Sequence, residues 1–254
     1  YLEHTKENNQ QLQSEMERLS HSFLLPEPEI NHIKDLKSEL SAQEAVVHSS
    51  LEDTAEMKKP FSLVREELEA IQDRLKEIED EQIELGEQLE KIEKDDVNAR
   101  QKVTIYANKL HTIKRFMEKR NLPGIPESFL TIFFGASDYI EELARELEAT
   151  RVNIESVNRW LEILANTMNE LEEETYRIVR NSTLTEQLLQ YSNRYRSFDD
   201  NVQAAFNESL HAFEVEFDYA KSLEIISKAL DVVEPGVSAR FINSYEKTRE
   251  NIRF

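Results

Sequence analysis

From Ala136 to Ile178 the chain keeps a three-then-four spacing of mostly apolar side chains, with no proline or glycine to interrupt it. Ile140, Leu143, Leu147, Thr150, Ile154, Val157, Leu161, Leu164, Met168, Leu171 and Thr175 carry the pattern between those ends. Such a spacing describes the narrow seam of a supercoiled helix rather than the wide stripe of an ordinary globular one. It predicts one helix from about Pro126 to Asn181, about 84 Å long at ~1.5 Å per residue. A helix of that length outruns one compact bundle, so neighbouring bundles would have to share it. A tight reversal near Thr150 would remove that shared helix.

Long elements are also what the composition requires, since 254 residues with only 4 Gly and 6 Pro leave little material for turns. Charge narrows the partners. With 31 Lys and Arg against 51 Asp and Glu the net charge is −20, and a duplex phosphate backbone would be repelled, so nucleic acid is not an expected partner. The absence of cysteine removes disulfides and thiol chemistry and fits a reducing compartment. No run approaches the ~18 apolar residues of a membrane-spanning helix, and no signal-peptide pattern opens the chain. It begins at Tyr1 in mid-helix pattern without an initiating Met, as expected of a fragment whose N-terminal part, including any membrane anchor, lies outside the sequence.

Proline-rich breaks recur. Leu25-Pro26-Glu27-Pro28-Glu29 and Leu122-Pro123-Gly124-Ile125-Pro126-Glu127 read as copies of one loop, with Pro235-Gly236 a looser third. Asp95-Asp96 and Asn181-Ser182-Thr183 offer N-cap chemistry and read as two further breaks. Together they predict a long helix over 28–94 with an irregularity at Pro60, a shorter one over 96–121, and the long one over 126–181. The first carries its own seam through Phe61, Val64, Leu68, Ile71, Leu75, Ile78, Gln82, Leu85, Leu89 and Ile92, with Gln82 as a polar register marker. Val103, Tyr106, Leu110, Ile113 and Met117 repeat the spacing in the short helix. Residues 61–96 hold 14 acidic and 5 basic side chains, and residues 97–121 hold 7 basic and 1 acidic. Antiparallel pairing of those two stretches would account for the basic run Lys109, Lys114, Arg115, Lys119 and Arg120. The expected fold is all-α, with tandem antiparallel three-helix spectrin-like repeats joined by long shared helices. It divides into a partial repeat at 1–60, a complete one at 61–150 and a C-terminal one at 151–254.

Catalytic and ligand chemistry is sparse. No phosphate-cradling glycine motif exists, Gly86 and Gly135 stand alone in helical pattern, and the many carboxylates read as solvated helix faces. Glu29-Ile30-Asn31-His32 has di-iron spacing, but none of the other histidines supplies a second copy. Neither a metal, a cofactor nor an enzymatic activity is expected. Phe129, Phe133, Phe134 and Tyr139 follow helical spacing and read as bundle core, with a partner site as the alternative. Trp160 and Ile163 widen the later seam, as a third helix requires.

One segment does not read as ordinary packing. In Gln190-Tyr191-Ser192-Asn193-Arg194-Tyr195-Arg196 an α-helix would present Gln190, Asn193 and Arg194 on one face and bury Tyr191 and Tyr195 on another. On physical grounds a solvated polar face and a binding patch are equally open. The segment resembles the Q-x-x-N-R-Y-R patch of the EzrA family of Gram-positive septation ring regulators. Phe217-Asp218-Tyr219 through Leu223-Glu224-Ile225, Ala229-Leu230 and Val233-Glu234-Pro235-Gly236 is similar to that family's C-terminal tail, as Leu122-Pro123-Gly124-Ile125-Pro126 is to another of its segments.

The resemblance implies a cytoplasmic protein held at the membrane by one N-terminal helix absent from this fragment, enriched at the division septum, and built from spectrin-like repeats. It implies binding to the tubulin-like division protein FtsZ, restraint of Z-ring assembly, contact with other division or cell-wall synthesis proteins, and self-association. By the same resemblance Gln190, Asn193 and Arg194 are the protein-binding residues, supported by Tyr191, Tyr195 and Arg196. The competing expectation is a generic structural coiled-coil or spectrin-repeat scaffold with other partners. Residues 206–235 also loosely resemble one tetratricopeptide hairpin, through Phe213, Phe217, Ala220, Ala229, Leu230 and Pro235.

Overall fold

A narrow apolar stripe leaves a helix unstable in water until neighbours cover it, and this chain covers its stripes by repeated reversal. The computed structural model describes residues 1–55 and 60–248. Over these the protein is all-α, with α1 (Leu2–Ser20), α2 (Glu27–Ala55), α3 (Phe61–Glu118), α4 (Glu127–Leu147), α5 (Ile154–Ser192), α6 (Asp200–Glu214), α7 (Tyr219–Val233) and α8 (Val237–Thr248). Two units form, one from residues 1–101 with 143–159 and the other from 102–142 with 160–254.

In the first unit α1, α2 and the earlier part of α3 run up, down and up. Lys6 pairs with Glu44 and Lys37 donates to Gln13 at 3.2 Å, an antiparallel contact of α1 with α2. Arg74 donates to both carboxylate oxygens of Glu39, at 2.6 and 2.8 Å, and His32 lies 2.9 Å from Glu81, which sets α2 against α3 in the same sense. Between them Leu19, Ile33, Leu36, Leu75, Ile78 and Leu89 are buried. Gln82 is buried too, and its amide donates to the Thr5 carbonyl at 3.0 Å, tying α1 to α3 in one register. In the second unit Tyr139 and Trp160 meet with ring centroids 5.6 Å apart, and Ser128 donates to Glu174 at 2.9 Å, so α4 and α5 are antiparallel. The later half of α5 then joins α6, α7 and α8 around Leu184, Leu188, Val202, Ile226, Leu230 and Val237.

The expected seams are real, but four expected boundaries are corrected. The single helix over 126–181 is two, since α4 ends at Leu147 and α5 starts at Ile154. Val152 donates its amide to the Ser22 carbonyl at 2.8 Å and accepts from the Leu24 amide at 2.9 Å, forming a parallel bridge with Phe23. Those bonds replace the helical ones it gives up. Asn153 then caps α5, its side chain accepting from the Ser156 amide at 3.1 Å. Thr150, placed in the seam by spacing, is exposed.

The expected breaks at Asp95-Asp96 and Asn181-Ser182-Thr183 are absent, because α3 and α5 run straight through them. Asp96 accepts from Arg100 one turn on, at 2.9 Å, and Asp95 from Asn158 at 3.2 Å. Ser182 and Thr183 turn their hydroxyls back onto the Val179 carbonyl at 3.1 and 2.8 Å, which lets cap-type residues sit inside a helix. The stretch 28–94 is not one helix with a flaw at Pro60. It is α2 and α3, with residues 56–59 outside the described residues. Phe61, placed first in that seam, is 75% exposed.

Continuity of α3 also overturns the expected antiparallel pairing of the acidic 61–96 with the basic 97–121, which lie on one helix. Lys109 instead pairs with Glu172 on α5.

Removing the α5 cap by Asn153→Ala is expected to lower stability by about 1 kcal/mol. The exposed Thr150→Ala should change it by less than about 0.5 kcal/mol. Urea unfolding of both variants checks the pair.

Candidate functional site

Residues 190–196 do not form one continuous α-helical face, because α5 ends at Ser192 and Asn193 opens a turn. That turn stays tightly wound. The Arg194 amide donates to the Tyr191 carbonyl at 3.2 Å, and those of Tyr195 and Arg196 donate to the Ser192 carbonyl at 2.9 and 3.1 Å. Gln190, Asn193 and Arg194 are exposed, and Tyr191, Tyr195 and Arg196 are half-buried. Among the described residues no carboxylate pairs with Arg194 or Arg196. Their guanidinium groups instead lie 4.5 Å from the ring centroids of Tyr191 and Phe206 respectively.

What fixes the turn is Glu234, at the end of α7. Tyr191 and Tyr195, four residues apart, both donate to its Oε2, at 2.6 and 2.5 Å, and Arg240 of α8 donates to its other oxygen. The Tyr191 ring meets Tyr195 at 6.1 Å and Phe241 edge-on at 5.3 Å, so the joint is apolar behind its polar front. Both tyrosine donors, with Arg240 added, hold the Glu234 carboxyl far below its usual range, at about 2. In return the carboxylate acceptor pushes the Tyr195 phenol up to about 12. Gly236, in the left-handed region at φ 82, then turns the chain into α8, where the Ser238 amide donates to Asp231 at 3.0 Å.

A second joint lies at the loop before α4. The Tyr219 hydroxyl donates to the Gly124 carbonyl at 2.7 Å, and the Phe217 ring stacks so closely on Gly124 that a Cβ there would sit 2.5 Å from it. Phe217 itself holds a positive φ of 55, an uncommon conformation for a bulky residue. Asp218 caps α7 by accepting from the Lys221 amide at 2.9 Å. Thus the three segments quoted for the resemblance meet pairwise in space, 190–196 with 234 and 124 with 217–219.

Sequence reasoning leaves Glu234 and Arg240 without a role, although two tyrosines at helical spacing signal a shared partner. Of the aromatics read as core, Phe129 is buried, whereas Phe134 is 58% exposed. Among the described residues no three His, Asp or Glu side chains converge as metal ligands, and no helix is long and apolar enough to cross a membrane.

Antiparallel helices, side-chain locks at the loops and one ring-stacked turn of free donors define an all-α scaffold. The chain belongs to the EzrA family, whose profile, described as "Septation ring formation regulator, EzrA", matches residues 1–245. It is 76% identical over its whole length to the septation ring formation regulator EzrA of Streptococcus sanguinis (strain SK36), of which it covers 44%. The corresponding protein of Streptococcus gordonii is 66% identical, and that of Streptococcus pneumoniae (strain Hungary19A-6) 56%, each over the whole chain and 44% of the relative. The chain therefore spans less than half the length of these curated relatives. No solved structure matches it.

The depressed Glu234 carboxyl contributes stability at neutral pH, and that contribution is lost as pH falls from its ordinary 4.5 toward about 2. The raised Tyr195 phenol contributes below pH 10, and its share is lost as pH rises toward about 12. Thermal unfolding across pH should show both losses in the parent and smaller ones in Glu234→Gln, where lowered carboxyls such as Glu39 and raised phenols such as Tyr219 and Tyr245 still titrate. Gly124→Ala, which drives a methyl group into the Phe217 ring, is expected to cost about 1–3 kcal/mol. Denaturant unfolding reads that loss, and Phe217→Ala in the same background should restore part of it.

Proposed function

We propose that this chain is part of a non-enzymatic regulator and scaffold of cell division that binds FtsZ and restrains assembly of the Z-ring. In this reading it is a stretch of tandem spectrin-like repeats, carried at the cytoplasmic face of the membrane by an anchor elsewhere in the full-length protein and concentrated at the septum. Family membership and the printed names of its relatives support the division role.

Contact with FtsZ is assigned to Gln190, Asn193 and Arg194, backed by Tyr191, Tyr195 and Arg196. The observation that carries this is the exposed Gln190 on the last turn of α5 together with the turn at 193–198, where the amides of Gln190 and Asn193 and the guanidinium groups of Arg194 and Arg196 have no carboxylate partner among the described residues. On a chain of net charge −20 they are cationic spots able to steer an acidic peptide tail, while the amides bond its backbone. Charges at such a rim are screened, so the contact is weak and salt-sensitive.

The triple variant Gln190→Ala/Asn193→Ala/Arg194→Ala should bind the C-terminal peptide of FtsZ at least about tenfold more weakly than the parent, measured by fluorescence anisotropy at low salt. Unchanged affinity would remove the turn from that contact.

A further inference from the structure

The end of α3 and the start of α4 leave a groove of about 390 Å³, open to solvent and far from polar. Met117 and Phe129 form its buried floor, and Leu122, Leu130 and Phe133 its half-buried walls. Phe134 stands at its edge, 58% exposed, with its ring edge-on to Phe133 at 5.8 Å. The same groove is rimmed by Lys114 and Arg120, with Glu118 as the one carboxylate among its lining residues. Arg115 and Lys119 lie on the same two turns of chain, and all four cations are exposed.

None of these four cations pairs with a carboxylate among the described residues. Arg120 rests 4.8 Å from the Phe116 ring centroid, and the acidic stretch that spacing offered as their partner lies on the same helix, where it cannot fold back. The negative C-terminal end of the α3 dipole accounts for part of the excess, since it attracts cations to a helix's last turn. It does not account for an apolar groove beside them. In a chain of net charge −20 this is a local inversion of the field, so an acidic partner repelled by most of the surface is admitted here.

We propose that the groove between the end of α3 and the start of α4 docks an acidic peptide segment with apolar anchors. The anchors fill the floor made by Met117 and Phe129, and the flanking carboxylates meet Lys114 and Arg120. The occupant is a short helix or extended stretch of another protein, not a second copy of this chain. The chain's own acidic stretch keeps Val64, Ile71, Leu75 and Ile78 buried, so it has few anchors left to offer. An anionic membrane surface is disfavoured by the same net charge that isolates the patch.

The test uses the whole chain and a labelled synthetic peptide of about 16 residues, with Leu and Phe at i, i+3, i+4 and i+7 and Asp or Glu elsewhere. Saturable binding is expected, weakened at least about tenfold by Lys114→Glu/Arg120→Glu, and more weakly bound as salt rises. Phe133→Ser/Phe134→Ser should weaken binding while leaving its salt dependence in place. Gln190→Ala/Asn193→Ala/Arg194→Ala should bind the peptide as the parent does, which separates this groove from the turn at 193–198. Circular dichroism and unfolding midpoints confirm that each variant is folded, as substitutions at exposed Lys114 and Arg120 should leave it. Equal binding by the charge-reversed variant, or equal binding of a peptide with Lys at every acidic position, overturns the proposal. So does concentration-dependent self-association lost in the charge-reversed variant, or capture by vesicles of anionic lipid in preference to the peptide.

Discussion

Covering a stripe of apolar side chains only two positions wide takes neighbours on more than one side, and that geometric demand governs this protein. A single partner leaves the flanks of the seam wet, so the chain turns back until two further helices close around it. Leu36, Ile78, Leu164, Met168, Leu171 and Leu188 are fully enclosed by this means, although barely two-fifths of the sequence is hydrophobic. The charged faces left outside pair in many exposed contacts, such as Arg65 with Glu69 and Lys94 with Glu90. Each of these adds a little to its own helix, while pairs between helices, such as Lys6 with Glu44 and Arg74 with Glu39, favour one register over its neighbours.

Helices that reverse must be stopped where the seam is not, and here backbone and side-chain contacts from distant segments hold the reversals. Val152 exchanges backbone bonds with the α1–α2 loop, Phe217 and Tyr219 close over Gly124, and Tyr191 and Tyr195 converge on Glu234. The first two locks pair loop amides and carbonyls that no helix serves, and the third pairs two phenols with a carboxylate. Both joints that involve the family-like segments also border the exposed chemistry of the second unit, the turn at 193–198 and the groove beside Phe129.

Apolar spacing survives a reversal, which is why the seams are legible in the sequence and several of their ends are not. Leu147 and Ile154 stand one heptad apart whether the helix continues or doubles back, so the periodicity passes through the break without a mark. Proline loops before α2 and α4 are legible because the ring forbids the alternative. Asp95, Asp96, Ser182 and Thr183 mislead, because the oxygens that cap a helix can equally bond within one. At the candidate site the exposure of Gln190, Asn193 and Arg194 follows from polarity. The anchoring role of Glu234, 39 and 43 residues from its tyrosines, depends on tertiary closure that no local pattern records.

Stacking of Arg194 and Arg196 on aromatic rings has an entropic meaning. A free arginine samples many rotamers and forfeits roughly 2 kcal/mol of that freedom when a ligand immobilises it. Here the Tyr191 and Phe206 faces already hold both side chains, on a turn that Glu234 keeps from fraying. The disorder is surrendered while the polypeptide collapses, well before any encounter, so in the contact proposed for this turn an acidic tail would meet hooks already in place at a smaller entropic cost.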